Sequence, residues 1–346
     1  MNTWKHIAAI GILFLTGLAA QAQILPNLGG QRTGSSALSY LKNDASPRSL
    51  GMASSNVTLR GDGFTSFTNP AAITSVSSTS IGTSNLLIGN GINQTFLSVV
   101  QPWEKRTAAF ALTVNNLSSG RQEVRTEFQP HGTGEYFYVV NTAIGLGISK
   151  QLSDQFSFGL KLNYIHESIA QYQNNTFTAD LGFLYQTDVR DLSFAVVVSN
   201  FGGSTALSGD FQELKFNQNS TPTPERYPVP TVFKLGISMY PIQTDKHELL
   251  AAVQLNHPND NSENISMGLE YGYRKLVFVR AGYVLGRKSY TYPTFGAGFK
   301  TRIGHHPLHI QYAFVPTTFF GVQHHIGLNL RLYKPEERKV ESNGQN

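Results

Sequence analysis

Residues 246–283, KHELLAAVQLNHPNDNSENISMGLEYGYRKLVFVRAGY, contain three segments in which apolar residues alternate with small or polar ones at a period of two. In the first, Leu249, Ala251, Val253 and Leu255 point one way and Ala252, Gln254 and Asn256 the other, as a pleated strand requires. In the second, Ile265, Met267, Leu269, Tyr271 and Tyr273 share one face, and Ser266, Gly268, Glu270 and Gly272 share the opposite one. The third puts Val277, Val279, Ala281 and Tyr283 outward and Arg280 and Gly282 inward. Strands that are apolar outside, polar or small inside, and carry tyrosines near their ends suit a barrel wall with lipid outside. A soluble sheet with one face in a core also alternates, so the decision rests on the rest of the chain.

The chain begins as an exported one. Lys5 and His6 precede an apolar run from Ile7 to Leu18, and Ala20-Gln21-Ala22 follows, which is an export signal over 1–22 with cleavage expected before Gln23. The apolar run is too short to cross a bilayer as a helix, and no later segment approaches the roughly 20 apolar residues a spanning helix needs. A mature chain in a membrane must then be a closed barrel, since only helices and barrels satisfy their backbone groups in lipid. The composition agrees: 32 Gly, 22 Phe and 15 Tyr with only 14% charged residues, and a mean hydropathy of -0.19. Without cysteine, disulfides, thiolate catalysis and thiolate metal sites are excluded. The net charge of +5 comes from scattered Lys and Arg, whereas nucleic-acid binding needs a basic stripe.

Residues 23–75 do not alternate and are rich in Gly, Ser and Asn. Too polar for a core of their own, they are expected to form a plug in the lumen or at its periplasmic mouth. Within them, Asn69-Pro70-Ala71 predicts a short helix, because Asn caps well and Pro is favoured at the first helical position. Fourteen strands are predicted after that, near 77–88, 93–102, 106–116, 135–150, 155–166, 175–187, 191–200, 231–240, 247–256, 264–273, 275–284, 291–301, 307–315 and 322–333. Connections after even-numbered strands are short, such as 103–106, 151–154 and 187–190; those after odd-numbered strands are often long, such as 116–134, 167–174, 201–230 and 257–263. That sorting predicts an outer-membrane barrel with periplasmic short turns. The barrel is assigned 76–333, followed by a polar tail at 334–346.

Two groups of residues resemble the PorV/PorQ family, relatives of the FadL-like long-chain fatty-acid channels. The first is Ser46-Pro47-Arg48-Ser49-Leu50-Gly51-Met52-Ala53, then Gly61-Asp62-Gly63 and Asn69-Pro70-Ala71. The second is Leu255 to Asn261, then Gly268-Leu269-Glu270-Tyr271 and Arg280-Ala281-Gly282-Tyr283. Many outer-membrane barrels end on an aromatic residue, whereas this chain continues past Tyr333. The resemblance implies an accessory role in type IX protein secretion and surface attachment of cargo in Bacteroidota-type bacteria, without enzymatic activity. Its partners would be outer-membrane lipid and secreted cargo or other secretion-system proteins. A FadL-like passive channel for hydrophobic small molecules is the alternative, and a lipid A or lipopolysaccharide-modifying enzyme the third reading.

Chemistry-bearing residues give little support to catalysis. No G-x-S-x-G elbow is present. With strands 13 and 14 paired near 317–321, His309 falls opposite about Leu328 and His324 opposite about Ala313, so the histidines do not converge on a metal. His257 to Asn261 lacks EF-hand spacing and reads as a turn. No cofactor is predicted. The inward parity instead collects charges: Lys161, Asp180, Lys234, Glu270, Arg280, Lys300 and Arg331. Their mixed signs predict an ion-pair network bracing wall and plug, with Glu270 and Arg280 paired diagonally. The long connection 201–230 carries Phe211, Leu214, Phe216 and Tyr227 among polar residues, the pattern of a partner-binding loop over the extracellular mouth.

Overall fold

The computed structural model describes residue 32 and residues 34–103, 107–209, 224–287 and 292–333. The predicted export signal and the polar tail lie outside them. Fourteen antiparallel strands close into one barrel. They are β1 Thr79–Gly89, β2 Ile92–Trp103, β3 Ala108–Ser118, β4 Val139–Gln151, β5 Phe156–Ile169, β6 Tyr172–Gln186, β7 Ser193–Phe201, β8 Val232–Gln243, β9 His247–Pro258, β10 Asn264–Tyr273, β11 Val277–Leu285, β12 Thr294–Ile303, β13 His306–Thr317 and β14 Gly321–Leu332. Each pairs with its neighbour in sequence, and β1 closes on β14 with Thr79 opposite Leu332. Closure leaves no free strand edge. Among the described residues no helix is long and apolar enough to cross a membrane.

The period-two pattern decides which face is which. Along β10, Met267, Leu269, Tyr271 and Tyr273 are exposed while Ser266, Gly268, Glu270 and Gly272 are buried, and β11 repeats the alternation from Val277 to Tyr283. The apolar outward face runs round the ring, with Leu146, Phe177, Val279 and Leu328 among its exposed members. The strand β1, whose alternation is weak in hydropathy, still alternates in burial; its inward Ser80, Gly82 and Ser84 are small because the N-terminal segment lies against them. Gly63 contacts Gly82, and Ser84 Oγ donates to the Ala45 carbonyl at 2.6 Å.

Two local expectations are corrected. The stretch 167–174 is not a long loop: β5 and β6 continue through it, with Glu167 opposite Asn174 and Ile169 opposite Tyr172. Its polar residues are wall residues, and the turn is only Ala170 and Gln171, with Ala170 at φ 52°. Register also differs by one residue in two places. Glu270 stands directly opposite Arg280 rather than diagonally, because Arg274 and Lys275 both take positive φ and make a tight connection. His309 faces Asn329, and His325 rather than His324 faces Ala313.

Residues 38–76 pack inside the ring. They form short helical turns at Ser39–Lys42, Pro47–Gly51, Thr65–Thr68 and Pro70–Ser75. The last begins as predicted at Asn69, whose side chain accepts from the Ala71 amide at 2.9 Å. Met52, Val57, Phe64, Ala71 and Ile73 are at most 1% exposed, and each sits against inward small residues of the wall. Glycines permit the approach: a Cβ on Gly63 would lie 2.9 Å from the Gly82 amide and 3.0 Å from Asn329 Oδ1. Gly63→Val should therefore lower stability by about 1–3 kcal/mol through overpacking. Gly203→Ala, where nothing lies within 4 Å, should leave it unchanged. Urea titration of the detergent-solubilised barrel reads both, and equal midpoints would refute the packing account.

Candidate functional site

The functional geometry is in the lumen, where charged side chains on strands meet the N-terminal segment. Glu270 of β10 is 3% exposed and is shared by two arginines. Arg280 Nε donates to Glu270 Oε2 at 2.5 Å, Arg48 Nε donates to the same oxygen at 2.9 Å, and Arg48 Nη2 donates to Oε1 at 2.6 Å. Arg48 also donates through Nη1 to the Arg60 carbonyl at 3.2 Å, and its backbone amide donates to Gln311 Oε1 at 3.2 Å. Burial works against the Arg48 charge, but Glu270 more than compensates, so its pKa lies above that of an ordinary arginine. The geometry is a two-pronged tie between segment and wall, with each carboxylate oxygen satisfied by guanidinium donors.

A second buried pair joins Lys161 of β5 and Asp180 of β6, directly opposite in register, at 2.9 Å. Lys161 also donates to the Ser66 carbonyl at 3.3 Å. Asp180 accepts from Asn163 Nδ2 at 3.1 Å and from the Asn200 amide at 2.6 Å. That last contact holds a bulge in β7, where Asn200 takes φ 56° and Ala179 faces Phe201 while Leu181 faces Val198. The other predicted charges are scattered. Lys300 lies 4.5 Å from the Phe278 ring centroid; Arg331 Nη2 donates to the Gly61 carbonyl; Lys234 of β8 faces a cavity. The expected network is therefore two separate ties, two individual contacts and one charge facing the cavity.

Sequence reasoning missed the partners on the other side of these ties. Arg48 lies in a motif read only for resemblance, and Lys42 was not singled out. Lys42 Nζ contacts Asp260 Oδ2 at 2.5 Å, and the Ser36 hydroxyl donates to the same oxygen. Asp260 sits in the turn after β9, where the Ser262 amide donates to Asn261 Oδ1 at 3.0 Å as expected of Asx side chains, and it also anchors the N-terminal segment. Asn69 is fully buried and its Nδ2 donates to the Val57 carbonyl at 2.7 Å, while Pro70 and Ala71 pack against β5 and β6 at Gly159 and Gly182. Tyr227 is partly exposed, pairs across a two-residue ribbon with Thr205, and donates to Glu225 at 2.7 Å. Phe211, Leu214 and Phe216 lie outside the described residues.

Between the N-terminal segment and the long-loop end of the barrel is a cavity of about 410 Å³. Leu41, Asn56 and Phe67 border it from the segment, and Lys234, Gln254, Asn256, Ser266 and Val284 from the wall. A smaller void of about 30 Å³ adjoins Lys161, Asp180 and Asn163, and Lys234 borders both. Two inward histidines do not line these spaces: the half-buried His309 hydrogen-bonds Gln311 at 3.0 Å, and His325 is 1% exposed on β14. Among the described residues no group of three acidic, His or Cys side chains converges as metal ligands.

Two measurements follow from the ties. Glu270→Gln leaves two buried guanidiniums without a counter-charge and should cost about 3–5 kcal/mol; urea unfolding should also become protease-sensitive first within residues 44–76. An unchanged midpoint would mean that the tie contributes nothing. At Asp260, burial raises the carboxyl pKa, but hydrogen bonds from Lys42 and Ser36 and the Lys42 charge reverse this, so it lies below the ordinary carboxylate range. A depressed folded pKa gives stabilisation that is complete above the unfolded value of about 3.9 and is lost as pH falls through the folded value. Amide exchange in residues 36–43 should therefore accelerate with acidification below about pH 4, and Asp260→Asn should abolish that pH dependence.

No family model matches the chain, and no curated protein does. Among solved structures it is similar to the toluene transporter TbuX of Ralstonia pickettii, at 10% identity and TM-score 0.54 over 83% of this chain and 98% of that one. It is similar to the toluene transporter TodX of Pseudomonas putida, at 12% identity and TM-score 0.53 over 82% and 96%. A FadL homologue of Pseudomonas aeruginosa gives 11% identity and TM-score 0.52 over 83% and 98%. At such identities the likeness is one of fold, and the fold is that of a FadL-like barrel.

Proposed function

We propose that the chain is a non-enzymatic outer-membrane barrel acting as a FadL-like passive channel, which admits small molecules through its lumen from the extracellular side. The observation that carries this reading is the combination of a barrel similar to two toluene transporters over nearly their whole length with a lumenal cavity of about 410 Å³ toward the long-loop end. The outward apolar face supports membrane residence, and the sequence at 1–22 supports export. Since TbuX and TodX are toluene transporters, hydrophobic compounds are the first class to test.

A second reading, the PorV/PorQ-like accessory role in type IX secretion, is favoured by a different observation. Residues 38–76 occupy the lumen and are tied to the wall through Glu270 and Asp260, as suits a plugged barrel that presents its loops to protein partners. Proteoliposomes carrying the full barrel should take up toluene several-fold faster than empty ones if the channel reading holds. Uptake at the empty-vesicle rate, together with cargo left unattached when residues 205–225 are replaced by a Gly-Ser linker, would decide for the secretion role.

A further inference from the structure

The cavity has a chemistry that a hydrocarbon does not match. About half of its lining is polar, and one wall is a ladder of amides. Gln254 Nε2 donates to Asn256 Oδ1 at 2.7 Å, and Asn256 Nδ2 donates to Asn264 Oδ1 at 2.9 Å and to Ser266 Oγ at 3.3 Å. Beside Gln254 stands Asn56, whose backbone amide donates to Gln254 Oε1 at 2.8 Å. Its Nδ2 is used on Asp44 at 2.7 Å, and its Oδ1 has no hydrogen-bond partner.

The charges around the cavity are spent unevenly. Lys42 is engaged by Asp260, Arg287 has an interaction of its own, and Asp44 is occupied by Ser49, Asn56 and the Ser46 amide. Lys161, on the far side of the adjoining void, is held by Asp180. Lys234 lies between the two spaces and, among the described residues, has no hydrogen-bond or ion-pair partner. An unpaired ammonium in a low-dielectric lumen attracts an anion strongly. Lys234 offers one point charge, which a single carboxylate matches. Amide side chains offer both donors and acceptors, the complement of hydroxyl groups.

We propose that the lumenal cavity binds a hydroxyl-rich organic acid of about monosaccharide size, with Lys234 holding its carboxylate and the Gln254–Asn256–Asn264 ladder taking its hydroxyls. The proposal rests on the reading of the lumen as a compartment for small molecules, and it replaces hydrocarbon as the solute class. An apolar ligand would strip these amides of water and return no hydrogen bonds. Apolar members of the lining, Leu41, Leu50, Phe67, Leu86, Val284 and Phe319 among them, are left to pack against the face of a sugar ring.

The test is calorimetric titration of the full-length barrel in detergent with D-glucuronate, with methyl glucoside and toluene as comparators. D-glucuronate should bind about tenfold more tightly than the neutral sugar, and added salt should narrow the gap. Lys234→Gln and Lys234→Met should remove the preference, and Lys234→Arg, which keeps the charge, should retain most of it. Saturable toluene binding with no heat from D-glucuronate would overturn the proposal, as would D-glucuronate affinity unchanged in folded Lys234→Gln. Vesicle flux separates the two readings. Toluene flux without D-glucuronate binding would leave the channel standing and remove this inference; Lys234-dependent binding without flux of either solute would do the reverse.

Discussion

A ring of fourteen strands encloses more space than its own inward side chains can fill, and that vacancy is the constraint on which the rest of the structure depends. Water could occupy it, as in porins. Here residues 38–76 do so, and the wall shows the consequences. Gly51 against Gly296 and Gly63 against Gly82 let two backbones meet where a Cβ would intrude. The short turns of the segment leave many polar groups for the wall to satisfy: Gln254 Oε1 accepts the amides of Asn56 and Val57 at 2.8 and 3.0 Å, and the Gly63 amide donates to Asn329 Oδ1 at 2.8 Å. Strand parity thus places on the inner face residues that serve as hydrogen-bond partners for irregular backbone, which is why that face is polar.

The ion pairs work within the same constraint. A buried pair gains little net stability over a well-packed apolar substitute, so its value lies in what it specifies. Arg48 reaches Glu270 with two donors and Gln311 with its own amide, contacts that hold together at one depth and one rotation of the segment. Arg280, from the strand beside Glu270, adds a third guanidinium donor and leaves the carboxylate no competing orientation. Lys42 and Asp260 fix the segment at the loop end in the same way. Between these anchors lies Lys234, a charge without an ion-pair partner among the described residues.

The wall was legible in the sequence because an apolar outside and a polar filling inside impose one rule, alternation, on every strand. The rule is local, so Met267 to Tyr273 and Val277 to Tyr283 could be assigned to faces without any partner being known. It fails where a strand turns polar on both faces. Glu167 and Asn174 read as loop, yet they hydrogen-bond at 3.2 Å across β5 and β6. The lumen was legible by half. Parity placed Glu270, Arg280, Lys161 and Asp180 inward, and the adjacent strands supplied two of the pairs. Arg48 and Lys42 were not predicted as partners because 222 and 218 residues separate them from Glu270 and Asp260. No periodicity spans that distance; only the three-dimensional path of the segment brings the charges together.

The same division explains why fold likeness and site chemistry part company in this chain. The outward face must only be apolar and of the right length, a demand that very different sequences meet, and the barrel is accordingly shared with proteins about 10% identical. The inward face carries no such uniform demand. Each residue there answers to whatever fills the lumen, so Lys234, Asn56 and the amide ladder can differ from one barrel to the next without cost to the ring. Function in such a fold resides in the grafted interior rather than in the scaffold, and the solute a barrel accepts is to be argued from the unpaired groups facing its cavity.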